Sequence, residues 1–242
     1  MTDLRGMVGL VTGASLGLGR GLATMLAAQG VQVALAARRV DELQQVADAI
    51  RSHDGTALVV PTDMRNDDAL VTLVTRTQQE LGPIDILVNN AGVISTEPVH
   101  ELNMAQWDLV MAVNLRAPAM LSAAVLPGMR ARRRGYIINV ASEAGVFIYS
   151  GMGAYAVSKH ALRVLTELTQ QENQHLGIKA WAICPGMVDT PMGAAMPGGN
   201  RAAFLSVDEV VDVVRYLLLQ DANVQMGPEI LIRTMRNPFD HP

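Results

Sequence analysis

"VTGASLGLGR", residues 11–20, joins a short apolar run to a segment with helical periodicity. Its three glycines, at positions 13, 17 and 19, are spaced as GxxxGxG. Glycine allows a tight turn and a close approach of the backbone to a ligand, and the N–H groups at a helix N-terminus favour the negative charge of a pyrophosphate. A glycine-rich turn between a strand and a helix therefore indicates an α/β fold with a nucleotide site. By itself it also fits a methyltransferase, a flavin protein, or a turn that only needs positive φ.

Apolar runs of strand length alternate with helical segments along the chain. We predict strands at 7–11, 32–36, 57–60, 84–88, 136–140, 179–183 and 229–232, and helices near 18–29, 40–52, 66–80, 104–130, 154–175 and 207–219. Such strands pair in parallel through right-handed crossovers, which leaves helices on both faces of the sheet. The sequence therefore predicts a single doubly wound, parallel-sheet (Rossmann-type) α/β domain of about seven strands over residues 1–242.

The composition disfavours several classes of protein. A net charge of −4 and nine aromatic residues in 242 provide no basic, ring-rich surface for nucleic acid. One cysteine and five scattered histidines indicate neither a disulfide framework nor a metal site. The first apolar run is too short to cross a membrane and no charged leader precedes it. We expect a cytoplasmic protein without a metal, a membrane or a nucleic acid, and we interpret "RARRRG", residues 130–135, as a solvated loop rather than an anion site.

The stretch 185–201 carries several Gly and Pro residues and predicts a loop after the sixth strand. Ser206 and Glu209 have the spacing of a capping box, which would start the next helix. Ligands in open α/β sheets bind beyond the carboxyl ends of the strands, where this loop begins. The loop near residues 190–205 is therefore a candidate substrate lid.

Two further segments lie where this fold would place a nucleotide. Asp63, in "VPTDM", either accepts a hydrogen bond from an adenine amino group or caps the following turn. The "NNAG" segment, residues 89–92, ends the fourth strand, and its small residues would let the backbone pass close to a cofactor. Taken alone, this segment could equally be a turn.

The segment "GAYAVSKHAL", residues 153–162, places Tyr155 and Lys159 one helical turn apart, so their side chains share a face. Reduction of a carbonyl needs a positioned proton donor with a tunable pKa. A tyrosine has an ordinary pKa of about 10, and a nearby lysine ammonium would stabilise the phenolate and lower this pKa. We expect Tyr155 to be the acid/base and Lys159 its electrostatic partner. Ser142, in "INVASEAG", would hydrogen-bond the substrate oxygen and hold it against Tyr155.

Together, the TGxxxGxG turn, residues 89–92, Ser142 thirteen residues before Tyr155, the YxxxK pair and the "PGMVDT" stretch resemble the classical short-chain dehydrogenases/reductases. The similarity runs in unbroken order from about residue 6 to residue 191. The tail departs from it: "PEILIRTMRNPF" stands where that family often has a glycine-rich "VDGG"-like strand exit. The resemblance implies an oxidoreductase that transfers a hydride between a nicotinamide cofactor and a ketone or secondary alcohol.

The resemblance also implies roles for single residues. Asn114, in "AVNLRAP", would bend its helix and relay a proton through water to Lys159. From the residues alone, an Asn satisfied by a local backbone bond inside a helix fits as well. Lys159 would in addition reach the nicotinamide ribose. The catalytic set that follows is Asn114, Ser142, Tyr155 and Lys159.

The same resemblance extends to the loop after the sixth strand. The backbone of Val188 would bind the nicotinamide amide, and Thr190 would bind the same amide or a nearby phosphate. Pro185 and Gly186 would form the turn that brings them there. The full cofactor set predicted in this way is Gly13, Ser15, Leu16, Gly17, Leu18, Gly19, Arg38, Arg39, Asp63, Met64, Asn90, Ala91, Gly92, Tyr155, Lys159, Pro185, Gly186, Val188 and Thr190.

The choice of nicotinamide cofactor depends on "LAARRV", residues 35–40. A site selective for NAD places an acidic side chain at the end of the second strand, but that position is Ala37 and no acidic residue occurs before Asp41. Arg38 and Arg39 follow, and a guanidinium can hold a phosphate through two parallel bonds. The glycine turn has Leu16 where a supporting basic residue is common. The sequence still predicts NADP(H), with Arg38 as the main contact.

Two other functions remain open on this fold. A nucleotide-sensing or scaffolding protein could keep the fold without the chemistry, although it has no need of the complete catalytic set. A methyltransferase would have no partnered Tyr and Lys.

Small residues in the loop suggest an open or mobile pocket for modest apolar ketones or alcohols. The helices near 104–130 and 154–175 are apolar on more than one face, which predicts a homotetramer or a homodimer.

Overall fold

The computed structural model describes residues 2–196, 198–235 and 238–239. Pro197 of the expected loop, Arg236 and Asn237 of the tail, and both chain ends lie outside the described residues. Within them, seven strands form one parallel sheet in the order β3-β2-β1-β4-β5-β6-β7. The strands are β1 (Val8–Thr12), β2 (Gln32–Ala37), β3 (Ala57–Pro61), β4 (Ile84–Asn89), β5 (Gly135–Val140), β6 (Ile178–Pro185) and β7 (Glu229–Ile232).

The central strands are apolar because helices cover both of their faces. Every residue of β1, β4, β5 and β6 is buried, whereas β7 at the sheet edge is only half-buried. A continuous aliphatic run is the expected sequence of such a strand. The chain order reverses direction at β1, which pairs with both β2 and β4. A crevice forms at this switch point, beyond the carboxyl ends of the two strands.

Eight α-helices surround the sheet in the described part of the chain. They are α1 (Gly17–Ala28), α2 (Val40–Arg51), α3 (Asp67–Glu80), α4 (Met104–Met111), α5 (Ala117–Arg132), α6 (Gly153–Asn173), the single turn α7 (Pro191–Ala194) and α8 (Val207–Leu219). Side chains of Asn66 and Asn103 cap α3 and α4. The predicted capping box of Ser206 and Glu209 is confirmed at the start of α8.

Two apolar layers hold the helices against the sheet. On one face, Leu22 of α1, Leu43 of α2 and Val210 of α8 belong to the same buried cluster. A second cluster combines α3 and α5 with other strand residues, among them Leu73 and Leu121. The doubly wound α/β fold expected from the sequence is therefore confirmed.

The helix predicted near 104–130 is not continuous. A π-helical turn at Ala112–Arg116 separates α4 from α5. Asn114 lies in this turn, and its side chain bonds the backbone of Val93 outside the helix. Pro118, at the start of α5, has no N–H with which to continue the regular pattern. In this wider turn, the side-chain oxygen and nitrogen of Asn114 form their hydrogen bonds with a segment outside the helix.

The segment Met104–Arg132 is long and apolar enough, by length and composition, to cross a membrane, with a mean hydropathy of 1.7 in its most apolar window. Its Val113, Leu121 and Val125 are part of the core that packs on the sheet. A core helix of a globular protein passes the same test, so composition does not assign this segment to a membrane.

The basic run at 130–135 differs from the solvated loop expected from the sequence. It ends α5, and its guanidinium groups anchor neighbouring elements. Arg132 donates to the carbonyl oxygen of Ile84 at 2.7 Å, and Arg134 binds the buried carboxylate of Asp85 at 3.0 Å. Arg133 donates to the carbonyl oxygen of His175 at 3.0 Å. The run therefore connects α5 to the amino end of β4 and to the end of α6.

Candidate active site

The glycine turn between β1 and α1 is shaped by backbone geometry. Gly13 has a φ of +65°, in the region that favours glycine. A Cβ atom on Gly19 would collide with the carbonyl oxygen of Gly13. No described side chain caps the N-terminus of α1, whose first residues line a cavity. These backbone N–H groups and the helix dipole suit a pyrophosphate.

Thr12 ties the carboxyl ends of β1 and β4 together at the switch point. Its hydroxyl oxygen accepts bonds from the backbone N–H groups of Asn90 and Ala91, both at 3.0 Å. The side-chain amide of Asn90 returns a bond to the carbonyl oxygen of Thr12 at 2.9 Å. The "NNAG" segment is thus held beside the glycine turn, as a cofactor crevice requires.

Arginines surround the far end of the cavity, at the carboxyl ends of β2 and β3. Arg38, Arg39 and Arg65 all line it. Asp63 accepts a bond from the backbone N–H of Arg65 at 3.0 Å and forms an ion pair with its guanidinium. The side-chain hydrogen bond from Arg65, and more weakly the charge of Arg38, lowers the pKa of Asp63. Asp63 therefore does cap its turn, one of the two roles that the sequence left open.

Asn114 lies behind the cavity wall and is fully buried. Its side-chain oxygen accepts a hydrogen bond from the backbone N–H of Val93 at 2.8 Å. Its side-chain nitrogen donates to the carbonyl oxygen of Val93 at 2.8 Å and to the Ser158 hydroxyl at 3.1 Å. The local backbone bond considered from the sequence is therefore wrong, because the partners are 21 and 44 residues away. A Cβ built on Gly92 would lie 3.5 Å from the Asn114 side-chain oxygen and 3.6 Å from Lys159 Nζ. Asn114 and Lys159 thus approach Gly92 together.

The fifth strand and α6 bring Ser142, Tyr155 and Lys159 together. Lys159 Nζ donates to the carbonyl oxygen of Val140 at 2.7 Å and lies 5.7 Å from the centre of the Tyr155 ring. The Ser142 hydroxyl hydrogen-bonds the phenol of Tyr155. Tyr155 and Lys159 are both buried, with 7% and 3% of their surfaces exposed. A hydroxyl, a phenol and an ammonium group therefore meet at the cavity wall.

The pKa values of this pair differ from the sequence-based expectation. Burial raises the pKa of Tyr155, and the hydrogen bond from Ser142 is the contact that lowers it. Burial also lowers the pKa of Lys159 to about 8, because the charged ammonium loses its hydration. The lowering of the Tyr155 pKa expected from Lys159 is therefore not seen in this structure, where burial is the largest influence and raises it. A protonated tyrosine suits the delivery of a proton to a carbonyl oxygen.

The "PGMVDT" stretch closes the cavity from the side of β6. Gly186 donates its N–H to the carbonyl oxygen of Ile232, the last residue of β7, at 2.8 Å. The Thr190 hydroxyl accepts from the N–H of Gly193 at 3.2 Å and so caps α7. A Cβ on Gly17 would lie 3.1 Å from the Thr190 methyl group. The loop therefore rests on the glycine turn across the crevice.

One cavity of about 760 Å³ unites nearly all of these residues. Of the predicted catalytic set, Ser142, Tyr155 and Lys159 line the cavity, and Asn114 does not. The predicted cofactor residues that line it are Gly13, Ser15, Leu16, Gly17, Leu18, Gly19, Arg38, Arg39, Asp63, Met64, Asn90, Ala91, Gly92, Tyr155, Lys159, Pro185, Gly186, Val188 and Thr190. In the described residues, no cluster of three or more His, Cys, Asp or Glu side chains could hold a metal ion.

Comparison with known proteins gives this arrangement a family. The family model for short chain dehydrogenases matches residues 7–199. The chain belongs to the short-chain dehydrogenase family. It is an oxidoreductase of that family by descent, in agreement with its parallel sheet and its Tyr–Lys pair.

Several oxidoreductases and a dehydrogenase resemble the chain along almost its entire length. An uncharacterized oxidoreductase of Staphylococcus aureus (strain N315) is 33% identical over 233 residues, covering 96% of this chain and 99% of that protein. A metagenomic short-chain oxidoreductase solved in complex with NADP is 32% identical, with a TM-score of 0.84 over 98% of this chain and 100% of the other. An alcohol dehydrogenase of Thermococcus sibiricus, complexed with 5-hydroxy-NADP, is 26% identical, with a TM-score of 0.87 over 98% of both chains.

Sequence reasoning missed three residues that shape this short-chain dehydrogenase site. Thr12 ends β1 and fixes the crevice, and Arg65 adds a third cation beside Arg38 and Arg39. Glu143 follows Ser142 directly and lines the cavity, where its carboxylate pairs with Arg233. Arg65 could have been found, because it follows Asp63 at the carboxyl end of β3. The partners of Thr12 and Glu143 come from distant parts of the chain.

Proposed function

We propose that the protein is an NADP(H)-linked oxidoreductase that interconverts a ketone and a secondary alcohol. The observation that carries the proposal is the meeting of Ser142, Tyr155 and Lys159 in the same cavity as the uncapped N-terminus of α1. A bound nicotinamide cofactor would supply the hydride. The residues of the chain would bind the substrate and deliver the proton.

Each residue at the reaction centre has a distinct task in this proposal. Ser142 donates a hydrogen bond to the carbonyl oxygen of the substrate and holds it against the phenol of Tyr155. Tyr155 gives its proton to the same oxygen, and its raised pKa keeps that proton in place until the transfer. Lys159 places a positive charge 5.7 Å from the Tyr155 ring as negative charge develops there. Asn114 would support Lys159 through water beside Gly92.

The preference for NADP(H) is supported by the charges around the ribose end of the cavity. Ala37 ends β2 with no carboxylate, and Arg38 and Arg39 follow it at the cavity edge. Arg39 is 3.6 Å from Glu42, so its charge is partly neutralised. Two related solved structures contain NADP or a derivative of it. Arg38 is therefore the expected main contact for the 2′-phosphate.

Replacing Arg38 with Ala should raise the KM for NADPH by roughly tenfold or more, because a charge-assisted bond contributes about 1.5–3 kcal/mol. The KM for NADH should change little. Ala37→Asp should shift the preference toward NADH by repelling the 2′-phosphate. Steady-state kinetics with both cofactors measure these effects, with Arg76→Ala on α3 as a remote arginine control. A wild-type kcat/KM that is higher for NADH than for NADPH would overturn the NADPH assignment.

The oligomeric state is a further part of the proposal. Val157, Val164 and Leu168 form an exposed apolar stripe on α6, with 47%, 58% and 48% of their surfaces exposed. The opposite face of the same helix carries Tyr155 and Lys159 against the core. An apolar helix face of this kind is expected to pack against a second copy of the chain.

Light scattering at micromolar concentration should give a mass of four or two times 25.9 kDa. Leu168→Glu should shift the distribution toward monomer, because it places a charge in the proposed contact. Glu167→Gln on the neighbouring position of α6 serves as the matched surface control. A wild-type mass of a single chain would contradict the assembly.

Two functions compete with this proposal, a nucleotide sensor or scaffold without chemistry and a methyltransferase. A panel of ketones and secondary alcohols, followed by NADPH absorbance, separates them from an oxidoreductase. Turnover of any panel member supports the proposal. Binding of NADPH without turnover favours the sensor, and binding of S-adenosylmethionine that is tighter than that of NADPH favours the methyltransferase.

We also propose a cytoplasmic location and a single domain over residues 1–242, with the substrate loop near 190–205.

A further inference from the structure

The cavity has a second half beyond Tyr155, which we call the substrate half. Its lining comes from the segment after β5, the loop after β6 and the C-terminal tail. Most of these side chains are apolar, and four are methionines, which adapt to ligands of different shape. The apolar members that carry the argument are Met152, Met187, Met192, Met196 and Phe239.

The C-terminal tail is anchored beside the reaction centre by its first residue. Arg233 follows β7, and its Nε lies 3.0 Å from the carboxylate of Glu143. Its guanidinium also covers the ring of Phe147 at 5.1 Å from the ring centre. Glu143 is adjacent to Ser142 and has only 17% of its side chain exposed. The tail therefore starts from a fixed point next to the group that orients the substrate.

The tail is fixed a second time near its end. The backbone N–H of Asn200, in the loop after β6, donates to the carbonyl oxygen of Pro238 at 2.7 Å. The next residue, Phe239, lines the cavity together with Met192 and Met196 of that loop. The described tail residues thus meet both the segment after Ser142 and the loop after β6.

The charges in the cavity are divided between its two halves. Its cationic lining residues among those described are Arg38, Arg39 and Arg65 at the ribose end, and Lys159 beneath Tyr155. The substrate half has the carboxylate of Glu143, which is paired with the guanidinium of Arg233 at 3.0 Å. Because Arg233 already pairs with Glu143, a negative charge near the carbonyl of a substrate would lose its hydration in this half and find no unpaired cation among the described lining residues there.

We propose that the tail forms the outer wall of the substrate half and that this wall selects uncharged ketones with an apolar, ring-sized substituent, which packs against Phe239. The pair of Glu143 and Arg233 leaves no free cation for a carboxylate beside the carbonyl, so anionic substrates are disfavoured. This inference rests on the proposed function, since it specifies the substrate of the same site. It also gives a role to the tail, the part of the chain that departs from the family pattern.

The first test compares acetophenone with butanone in NADPH-linked reduction. Phe239→Ala should lower kcat/KM for acetophenone by roughly tenfold, mainly through KM, because an aromatic contact is lost. Butanone, which is too small to need that contact, and the KM for NADPH should change little. Met235→Ala is the matched tail control, since Met235 is fully exposed.

An unchanged ratio of the two ketones in Phe239→Ala would overturn the inference while leaving the proposed function intact. If the wild type reduces neither ketone but turns over another member of the panel, the inference fails and the proposed function stands; no turnover of any panel member would contradict both.

The second test separates charge from shape. Ethyl benzoylformate and benzoylformate share a skeleton, but only the second is an anion. The wild type should prefer the ester, and Glu143→Gln, which leaves the guanidinium of Arg233 unpaired, should reduce that preference by about tenfold or less. A wild-type preference for the anion, or the same preference in Glu143→Gln, would contradict the role of Glu143.

Discussion

Tyr155→Phe should lower kcat for ketone reduction by about 10²–10⁴-fold, the usual contribution of a general acid. The change removes the transferable proton and keeps the ring, which is buried against Lys159. Because the backbone and the ring stay in place, the affinity for NADPH should remain nearly unchanged. Steady-state kinetics and fluorescence titration with NADPH measure the two quantities separately.

Tyr216→Phe is the matched control, because Tyr216 is 56% exposed on α8 and does not line the cavity. It should leave kcat unchanged. If Tyr155→Phe keeps most of its turnover, another group delivers the proton and the assigned mechanism is wrong. If the variant loses NADPH affinity as well, the loss of activity no longer reports proton transfer alone.

Lys159→Met should reduce activity and at the same time stabilise the fold. Methionine has a similar shape but no charge, so kcat/KM should fall by about 10²-fold as the charge beside Tyr155 is lost. The buried ammonium has a pKa of about 8 in the folded chain against an ordinary value of 10.5. That difference corresponds to about 3 kcal/mol of destabilisation when the lysine is charged. Loss of the bond to the Val140 carbonyl will offset part of the gain.

The pH dependence distinguishes this effect from a packing change. Between the folded and ordinary pKa values, the unfolded chain binds a proton that the folded chain does not. The free energy of unfolding of the wild type therefore rises with pH through that window. Below about pH 8 both states are protonated and the folded chain carries the full cost of the buried charge. The advantage of Lys159→Met should thus be largest at neutral pH and shrink by about pH 10.

Urea unfolding at the two pH values measures the stabilities, and NADPH-linked kinetics measures the activity. Lys179→Met is a useful control because Lys179 is the only other lysine in the sequence and burial also lowers its pKa. Its Nζ bonds the carbonyl oxygens of Asp221 and Val224, and it does not line the cavity. It should not change kcat. A Lys159→Met variant that is less stable than the wild type at every pH would contradict the assigned cost of the buried charge.

Local patterns in the sequence were sufficient for the elements and their order. The seven strands lie within about two residues of the predicted positions, because strands covered on both faces have continuous aliphatic sequences. The box at Ser206 and Glu209 was equally visible, since both of its partners lie within one helical turn. The glycine turn was recognisable because its spacing reflects a backbone conformation rather than a distant contact.

Contacts between distant residues were not predictable in the same way. From the residues alone, a local backbone bond fitted Asn114 as well as the bend implied by the family, yet Asn114 binds Val93 and Ser158 from within a π-helical turn. The ion pair between Glu143 and Arg233 joins positions 90 residues apart (233 − 143). Nothing in either local sequence indicates the partner, since the pairing follows from the order of the strands.

The pKa of Tyr155 shows a second limit of sequence reasoning. The spacing of Tyr155 and Lys159 gives the neighbour and its charge, which suggests a lowered value. The burial of both groups depends on how β5, α6 and the loop after β6 pack, and burial reverses the direction for Tyr155. Electrostatic arguments from spacing therefore identify the participants but not the sign of the shift.

Hydride transfer itself is the central claim, and an isotope label follows it most directly. NADPH carrying deuterium at C4 of the nicotinamide, on either face, is incubated with the purified chain and a ketone that it turns over, and the alcohol is analysed by mass spectrometry. For one of the two labelled faces, the product should carry one deuterium on the carbinol carbon. Unlabelled alcohol from both faces, or no alcohol from any ketone although NADPH binds, would contradict the account.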